Sequence, residues 1–328
     1  MSGVTMTMAQ AINTALREAM AADESVVVFG EDVGALGGVF RVTDGLAATF
    51  GEQRCFDTPL AESGIVGMAV GMAMNGMRPV VEMQFDAFAY PAFEQITSHV
   101  AKMASRTRGR VRLPMVIRIP YAGGIGGVEH HCDSSEAYYA HTPGLTVLVP
   151  ATGADAHGLL RAAIHSPDPV IFLEPKKHYF TKEEVDVTAP VPPVGRAVVR
   201  RAGRDATLIA YGPSVSVALA AAEQAADEGR DLGVVDIRSI VPFDDETVAA
   251  TVRATGRAVV VAEAPGFASV ASEIVARVTE RCFHHLEAPV RRVTGFDIPY
   301  PPPKLERHHL PGVDRVLATV DELQWDAS

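Results

Sequence analysis

Cationic charge is scarce in this sequence: 29 Lys and Arg stand against 40 Asp and Glu, a formal net charge of −11 over 328 residues. Nucleic acids and anionic membranes are gripped by clustered positive charge, so neither is an expected partner. Cysteine is scarcer still. Cys55, Cys132 and Cys282 lie far apart with no CxxC spacing, which argues against a disulfide framework or a zinc site and for buried or free thiols in a reducing cytoplasm. The most apolar stretch, Ser63 to Met77, is shorter than the ~20 residues that span a bilayer. The start, MSGVTMTMAQAINTALREAM, has neither a positive n-region nor an unbroken apolar core, so no secretion signal is expected. Neither GxGxxG nor GxxxxGK[ST] occurs, which makes a nucleotide site of those kinds unexpected.

What is present is alternation. Ile12, Ala15, Leu16 and Ala19 share one face and predict a helix over 7–22; SVVVFGE then reads as a buried strand ending at a glycine. The glycine-rich run predicts a helix over 62–76 leading into RPVVEMQ. Helices near 91–105, 134–140 and 153–165 lead into PMVIRIP, LTVLVP and PVIFLEP. Apolar strands alternating with helices predict a parallel sheet covered on both faces, an α/β doubly wound fold. The alternation stops over 186–205, whose prolines and mixed charge read as an interdomain linker. It resumes with ATLIAYG, LGVVDIRS, RAVVVAE and APVRRV, interleaved with helices near 214–228, 244–254, 268–282 and 312–324. The expected division is 1–185 for the first domain and 206–328 for the second. DIPYPPPKLERHHLP is too rich in proline for regular structure and is expected to wrap over a surface.

Ligands in open parallel sheets bind at the carboxyl ends of strands, which directs attention to the loops at 30–40, 57–62, 84–91 and 120–133. Glu62 begins the 62–76 helix. An acid there is favoured by the helix dipole alone, by about 0.3–1 kcal/mol. Ser63, Gly67 and Gly71, at i, i+4 and i+8, form a bare face that another backbone can approach across a subunit boundary. That would desolvate Glu62 and favour its neutral form, which is how a proton donor is made. Glu31 and Asp32 follow a strand end, where exposure is the expectation. The loop YAGGIGGVEHH carries four glycines that permit unusual backbone angles, and ends at His130 and His131. Adjacent histidines point apart and make a poor metal pair; one of them as an acid–base group competes with a capping or surface role. Ser134 or Ser135 is the expected N-cap of the following helix. The pairs His284/His285 and His308/His309 are expected to face solvent, and so are Arg106, Arg108, Arg110 and Arg112.

FGEDVGALGGVFRVTDGL, FDTPLAESGIVGMAVGMAMNGMRPVVEMQF, HCDSSEAYYAHTPGLTVLVP and DPVIFLEPK, in this order, resemble the β subunit of thiamin-diphosphate-dependent 2-oxo acid dehydrogenases of the transketolase-like group. The resemblance extends over VDIRSIVPFD, VVVAEA and VTGFDIPYP, essentially the whole chain. It implies a pyrimidine-binding first domain, a transketolase-like C-terminal domain, and an α2β2 heterotetramer docked to a lipoyl acyltransferase core. The α chain of that family holds pyrophosphate and Mg²⁺ through GDG and a later asparagine pair. Neither occurs here, so this chain is not expected to hold the cofactor or Mg²⁺ alone.

Carried over by the resemblance, Glu62 is the acid that hydrogen-bonds N1′ of the aminopyrimidine. Phe88 stacks on that ring, Gln84 lies beside it and Leu60 lines the pocket. His131 assists acyl transfer to the lipoyl group, and Glu31 relays protons between the two active sites. Some members carry another acid at the position of Pro91, so a full acidic relay is not implied. Asp168 lies where some relatives hold potassium, mainly through backbone carbonyls. QFDAFAYPAFEQI leans towards branched-chain 2-oxo acids while Phe88 leans the other way. Branched-chain substrates are the expectation, with pyruvate or acetoin enzymes as alternatives and a non-catalytic scaffold subunit as a different one.

Overall fold

The computed structural model describes residues 3–323. Its first sheet has seven strands in the order Ser239–Val241, Thr146–Leu148, Val170–Pro175, Val116–Tyr121, Arg78–Glu82, Val26–Gly30 and Cys55–Asp57. All but the first are parallel to their neighbours, as continuous runs of Val, Ile and Leu require when both faces are buried. The period of two decides which face each residue covers. Val26, Val28, Val80 and Val116 pack with the helix Met8–Ala22, whereas Val27, Phe29, Val81 and Ile117 pack with Ile65, Val66 and Ala69 of the helix Glu62–Met74. Met8–Ala22 starts with a capping box: Gln10 N donates to Thr7 Oγ1 at 3.2 Å and Thr7 N to Gln10 Oε1 at 2.9 Å.

The second sheet runs Arg291–Gly295, Ala258–Pro265, Ala206–Ala210, Leu232–Asp236, Val198–Arg201, parallel except for the last pair. The expected linker is therefore not bare. Val198–Arg201 closes the edge of this sheet, held by Arg200 Nε donating to Asp236 Oδ2 at 3.1 Å. Likewise Ser239–Val241, from the second half of the chain, adds antiparallel to the first sheet beside Thr146–Leu148. One apolar cluster runs from Val27, Ile119 and Tyr121 through Ile209 to Val260, so the two halves share a core.

Three further expectations need correction. The helix near 91–105 is broken into 3₁₀, α and π turns between Ala87 and Arg106, with Pro91 inside its first segment. The proline-rich tail is helical over Pro303–Leu305 and Glu306–His309. His309 is buried, not solvent-facing, because the Tyr300 ring packs edge-on to it at 5.2 Å and Gly295 leaves room for it. His308, His284, His285 and the four arginines are exposed as expected. All three cysteines are buried free thiols. No described helix is long and apolar enough to cross a membrane.

Candidate active site

Four adjacent strands, Cys55–Asp57, Val26–Gly30, Arg78–Glu82 and Val116–Tyr121, deliver the expected residues to one end of the first sheet. Because the strands are parallel, the loops after their carboxyl ends gather there. Glu31 follows Gly30 directly. Leu60 and Glu62 follow Asp57, Gln84 and Phe88 follow Glu82, and His131 closes the glycine loop after Tyr121. The helix of Glu62 is seated against the 87–92 turn, where Ser63 Oγ donates to the Pro91 carbonyl.

Glu31 departs from its expected exposure. It is 6% exposed, and neither carboxylate oxygen has a hydrogen-bond partner. Burial, then the carboxylates of Glu62 and Asp32 beside it, push its pKa up to about 7. A buried acid without a partner is costly, so its retention calls for an explanation. Glu62 itself is the first residue of its helix and half-buried. Its bare glycine face is open: a Cβ on Gly71 would meet nothing within 4 Å, and one on Gly67 only Gln95 Oε1 at 3.9 Å.

Around the carboxylates lies an apolar wall. Phe88 and His131 pack edge-to-face at 5.3 Å, and Phe85, which the sequence did not single out, packs against both at 5.5 and 4.4 Å. His131 Nδ1 is buried without a partner. Gln84 Nε2 donates to Asp32 Oδ2 at 2.9 Å, which fixes its amide. Leu60 stands 77% exposed at the rim. The expected N-cap Ser135 does precede the helix Glu136–Ala140, but its hydroxyl donates to buried Asp86 instead of capping.

Asp168 is not part of this group. It precedes Val170–Pro175, at the opposite end of the sheet, and its carboxylate accepts from Arg112 Nη1 at 3.0 and 3.1 Å. Among the described residues no group of three or more His, Cys, Asp and Glu side chains is placed to hold a metal ion.

Two buried polar centres escaped the sequence reading. Arg118 donates to Glu174 at 2.7 and 2.9 Å and to Glu82 at 2.7 Å, and Tyr179 OH donates to Glu174 at 2.6 Å. Arg118 and Glu174 are the lone charges in the apolar strands VIRIP and VIFLEP, and Glu82 ends the apolar run PVVE; that was the available signal. The second centre joins the two halves: Asp86, Glu136, Lys176 and Glu263 are all buried, and Tyr211 OH donates to Glu136 at 2.8 Å. Burial pushes Asp86 up and Lys176 down.

The residues fit one half of a cofactor site: two neighbouring acids, one of them orphaned, beside an aromatic wall, a fixed amide and a histidine. Comparison with known proteins gives the family. The transketolase pyrimidine binding domain model matches residues 4–182 and the transketolase C-terminal domain model residues 195–316. The chain is 55% identical to the 3-methyl-2-oxobutanoate dehydrogenase subunit beta of Mycobacterium tuberculosis, covering 97% of this chain and 92% of that protein. It is 54% identical to the pyruvate dehydrogenase E1 component subunit beta of Leifsonia xyli subsp. xyli, covering 96% and 93%. A solved split-gene transketolase, described as an inactive beta4 tetramer, superposes with a TM-score of 0.79 at 25% identity over 97% of this chain and 98% of that one. The chain belongs to the transketolase-like β subunits of the thiamin-diphosphate-dependent 2-oxo acid dehydrogenases.

Proposed function

We propose that this chain supplies the aminopyrimidine half of a shared thiamin diphosphate site and is active only with an α subunit, in an α2β2 enzyme with a second β chain. The reaction is oxidative decarboxylation of a 2-oxo acid, branched-chain 2-oxo acids being favoured. CO₂ leaves, a lipoyl disulfide of the acyltransferase core is reduced, and the acyl group departs as a thioester on the lipoyl sulfur. The observation that carries this reading is the Glu31 carboxylate beside Glu62 at the strand ends, buried and without a hydrogen-bond partner among the described residues.

When bound, thiamin diphosphate supplies the electron sink that 2-oxo acid decarboxylation needs. The chain's own residues do the rest. Glu62 offers its carboxyl group as the hydrogen-bond partner with which the aminopyrimidine ring nitrogen would share a proton. Glu31, readily protonated near neutrality, relays protons between the sites. Phe88 and Leu60 offer apolar surface to the ring and exclude water, while Gln84, tied to Asp32, orients beside it. His131 has an unpaired ring nitrogen with which to move a proton during acyl transfer to lipoyl.

The proposal places Mg²⁺ and the pyrophosphate on the α chain and the whole assembly in the cytoplasm. The chain is divided at 1–185, 186–205 and 206–328, the middle segment lending the strand Val198–Arg201 to the edge of the second sheet. A structural potassium near Asp168 would rely on backbone carbonyls, since the carboxylate is engaged by Arg112. Branched-chain specificity rests on QFDAFAYPAFEQI, against the contrary lean of Phe88. Steady-state rates of the reconstituted α–β enzyme with 2-oxoisovalerate and pyruvate test it: kcat/KM is expected to favour 2-oxoisovalerate, and a preference for pyruvate would overturn the substrate assignment. Thiamin diphosphate titrated into the chain alone is expected to bind weakly; tight binding would refute the shared site. A purely scaffolding subunit would leave decarboxylation insensitive to substitution of Glu62.

A further inference from the structure

The glycine loop that ends at His131 belongs to the first half of the chain, yet its amides are held by acids of the second. Gly123 N donates to Glu263 Oε1. Gly124 N donates to Glu306 Oε1 at 3.0 Å and Gly126 N to the same oxygen at 3.2 Å. Tyr300 OH adds a third donor to that oxygen at 2.7 Å. Such charge-assisted bonds are among the stronger ones available to a backbone amide. The loop needs them. Gly124 and Gly126 have φ of +81° and +68°, and a glycine-rich segment loses much conformational freedom when fixed.

The tail that carries Tyr300 and Glu306 is itself anchored. His309 lies against the Tyr300 ring, and Arg315 donates to the Thr294 carbonyl at 2.7 Å and the His309 carbonyl at 3.1 Å. The far end of the glycine segment adjoins the histidine: His131 N donates to the carbonyl of Val128 at 2.9 Å, and Gly127 leaves space that a Cβ would fill at 3.3 Å from His131 Cβ. The glycine segment therefore runs directly into the turn Glu129–His131 that holds the histidine.

We infer that Glu306, with Tyr300, is a positioning pair that reaches from the C-terminal tail to fix the 123–131 loop and thereby places His131 for acyl transfer. This rests on the role proposed for His131. Glu306 touches neither substrate nor cofactor in this account; it acts through the loop.

The test uses the reconstituted α–β enzyme carrying Glu306→Ala, Glu306→Gln or Tyr300→Phe, with three readouts. In Glu306→Ala, hydrogen exchange of the 122–131 amides is expected to accelerate about tenfold or more, with the sheets unchanged. Reductive acylation of a free lipoyl domain is expected to fall about tenfold, because small misplacements of a reacting group are costly. Decarboxylation measured with 2,6-dichlorophenolindophenol needs no lipoyl group and is expected to stay within about twofold. Glu306→Gln, which keeps an acceptor oxygen, and Tyr300→Phe, which removes one donor, are expected to show smaller losses of the same pattern. They carry the test if Glu306→Ala does not assemble. Unchanged exchange in the loop, or equal loss of both activities, would overturn the inference. His131→Ala separates the two readings: if acylation survives it, the transfer role of His131 is lost whatever Glu306 does, and exchange alone judges the loop contact.

Discussion

Two acidic centres lie on neighbouring strands of the first sheet and are built in opposite ways. At the first, Glu82 and Glu174 surround Arg118, which is fully buried, and the guanidinium bonds both carboxylates. At the second, Glu31 is nearly as buried, has Glu62 and Asp32 for neighbours, and finds no hydrogen-bond donor among the described residues. The first centre is closed and ties together three parallel strands. The second is left open by this chain, as the proposed shared cofactor site requires. Burial alone does not distinguish a structural charge from a functional one; the presence of a partner in the same chain does.

Removing a buried charge should accordingly have opposite sign in the two places. Arg118→Ala leaves two uncompensated buried carboxylates and is expected to cost about 3–5 kcal/mol in urea unfolding. A loss below about 1 kcal/mol would mean that the network is looser than its geometry. Glu31→Gln is expected to stabilise instead. The folded pKa of Glu31 lies above the usual 4.5, at about 7, so the native state binds the proton more tightly than the unfolded chain. Stability linked to this group is present below 4.5 and is lost as pH rises through about 7. The glutamine variant should thus gain on the order of 2 kcal/mol near pH 8 and nothing near pH 4, a difference that thermal or urea unfolding across that range would reveal.

Smaller effects probe the open surface around Glu62. Gly71→Ala adds a methyl to empty space and removes a helical glycine, so the lone chain should gain about 0.5–1 kcal/mol while assembly with the α chain weakens, as read by sedimentation. Leu60→Ala should change unfolding by no more than about 0.5 kcal/mol, since the side chain is solvent-facing here. It should still weaken thiamin diphosphate binding by the assembled enzyme roughly tenfold, a loss of apolar contact that titration would measure.

Much of this architecture was legible in the sequence, for physical reasons that differ by region. Strands such as VVVFG and VIFLEP are continuous apolar runs, and the helix Met8–Ala22 has a clear apolar stripe, so local pattern specifies them. The short strands Val4–Thr7, Lys182–Val185 and Ser239–Val241 carry no such pattern; the first two pair only with each other, and the third adds to the edge that Thr146–Leu148 offers. Glu62 and His131 came to attention through a helix start and a glycine loop, and the strand order explains why they share one end of the sheet. The burial of Glu31 was not legible, because nothing local in GEDVG says that Glu31 turns inward while Asp32 remains at the surface. Nor was the bond from Glu306 to Gly124, which closes a separation of 182 residues.

The central claim is that the open acidic centre is half of an active site, and Glu62→Gln tests it most directly. In the reconstituted α–β enzyme, with tetramer assembly and thiamin diphosphate binding verified, decarboxylation of the 2-oxo acid is expected to fall about 10²-fold or more, the scale of a lost proton-transfer group. Unchanged turnover in that variant would contradict the account.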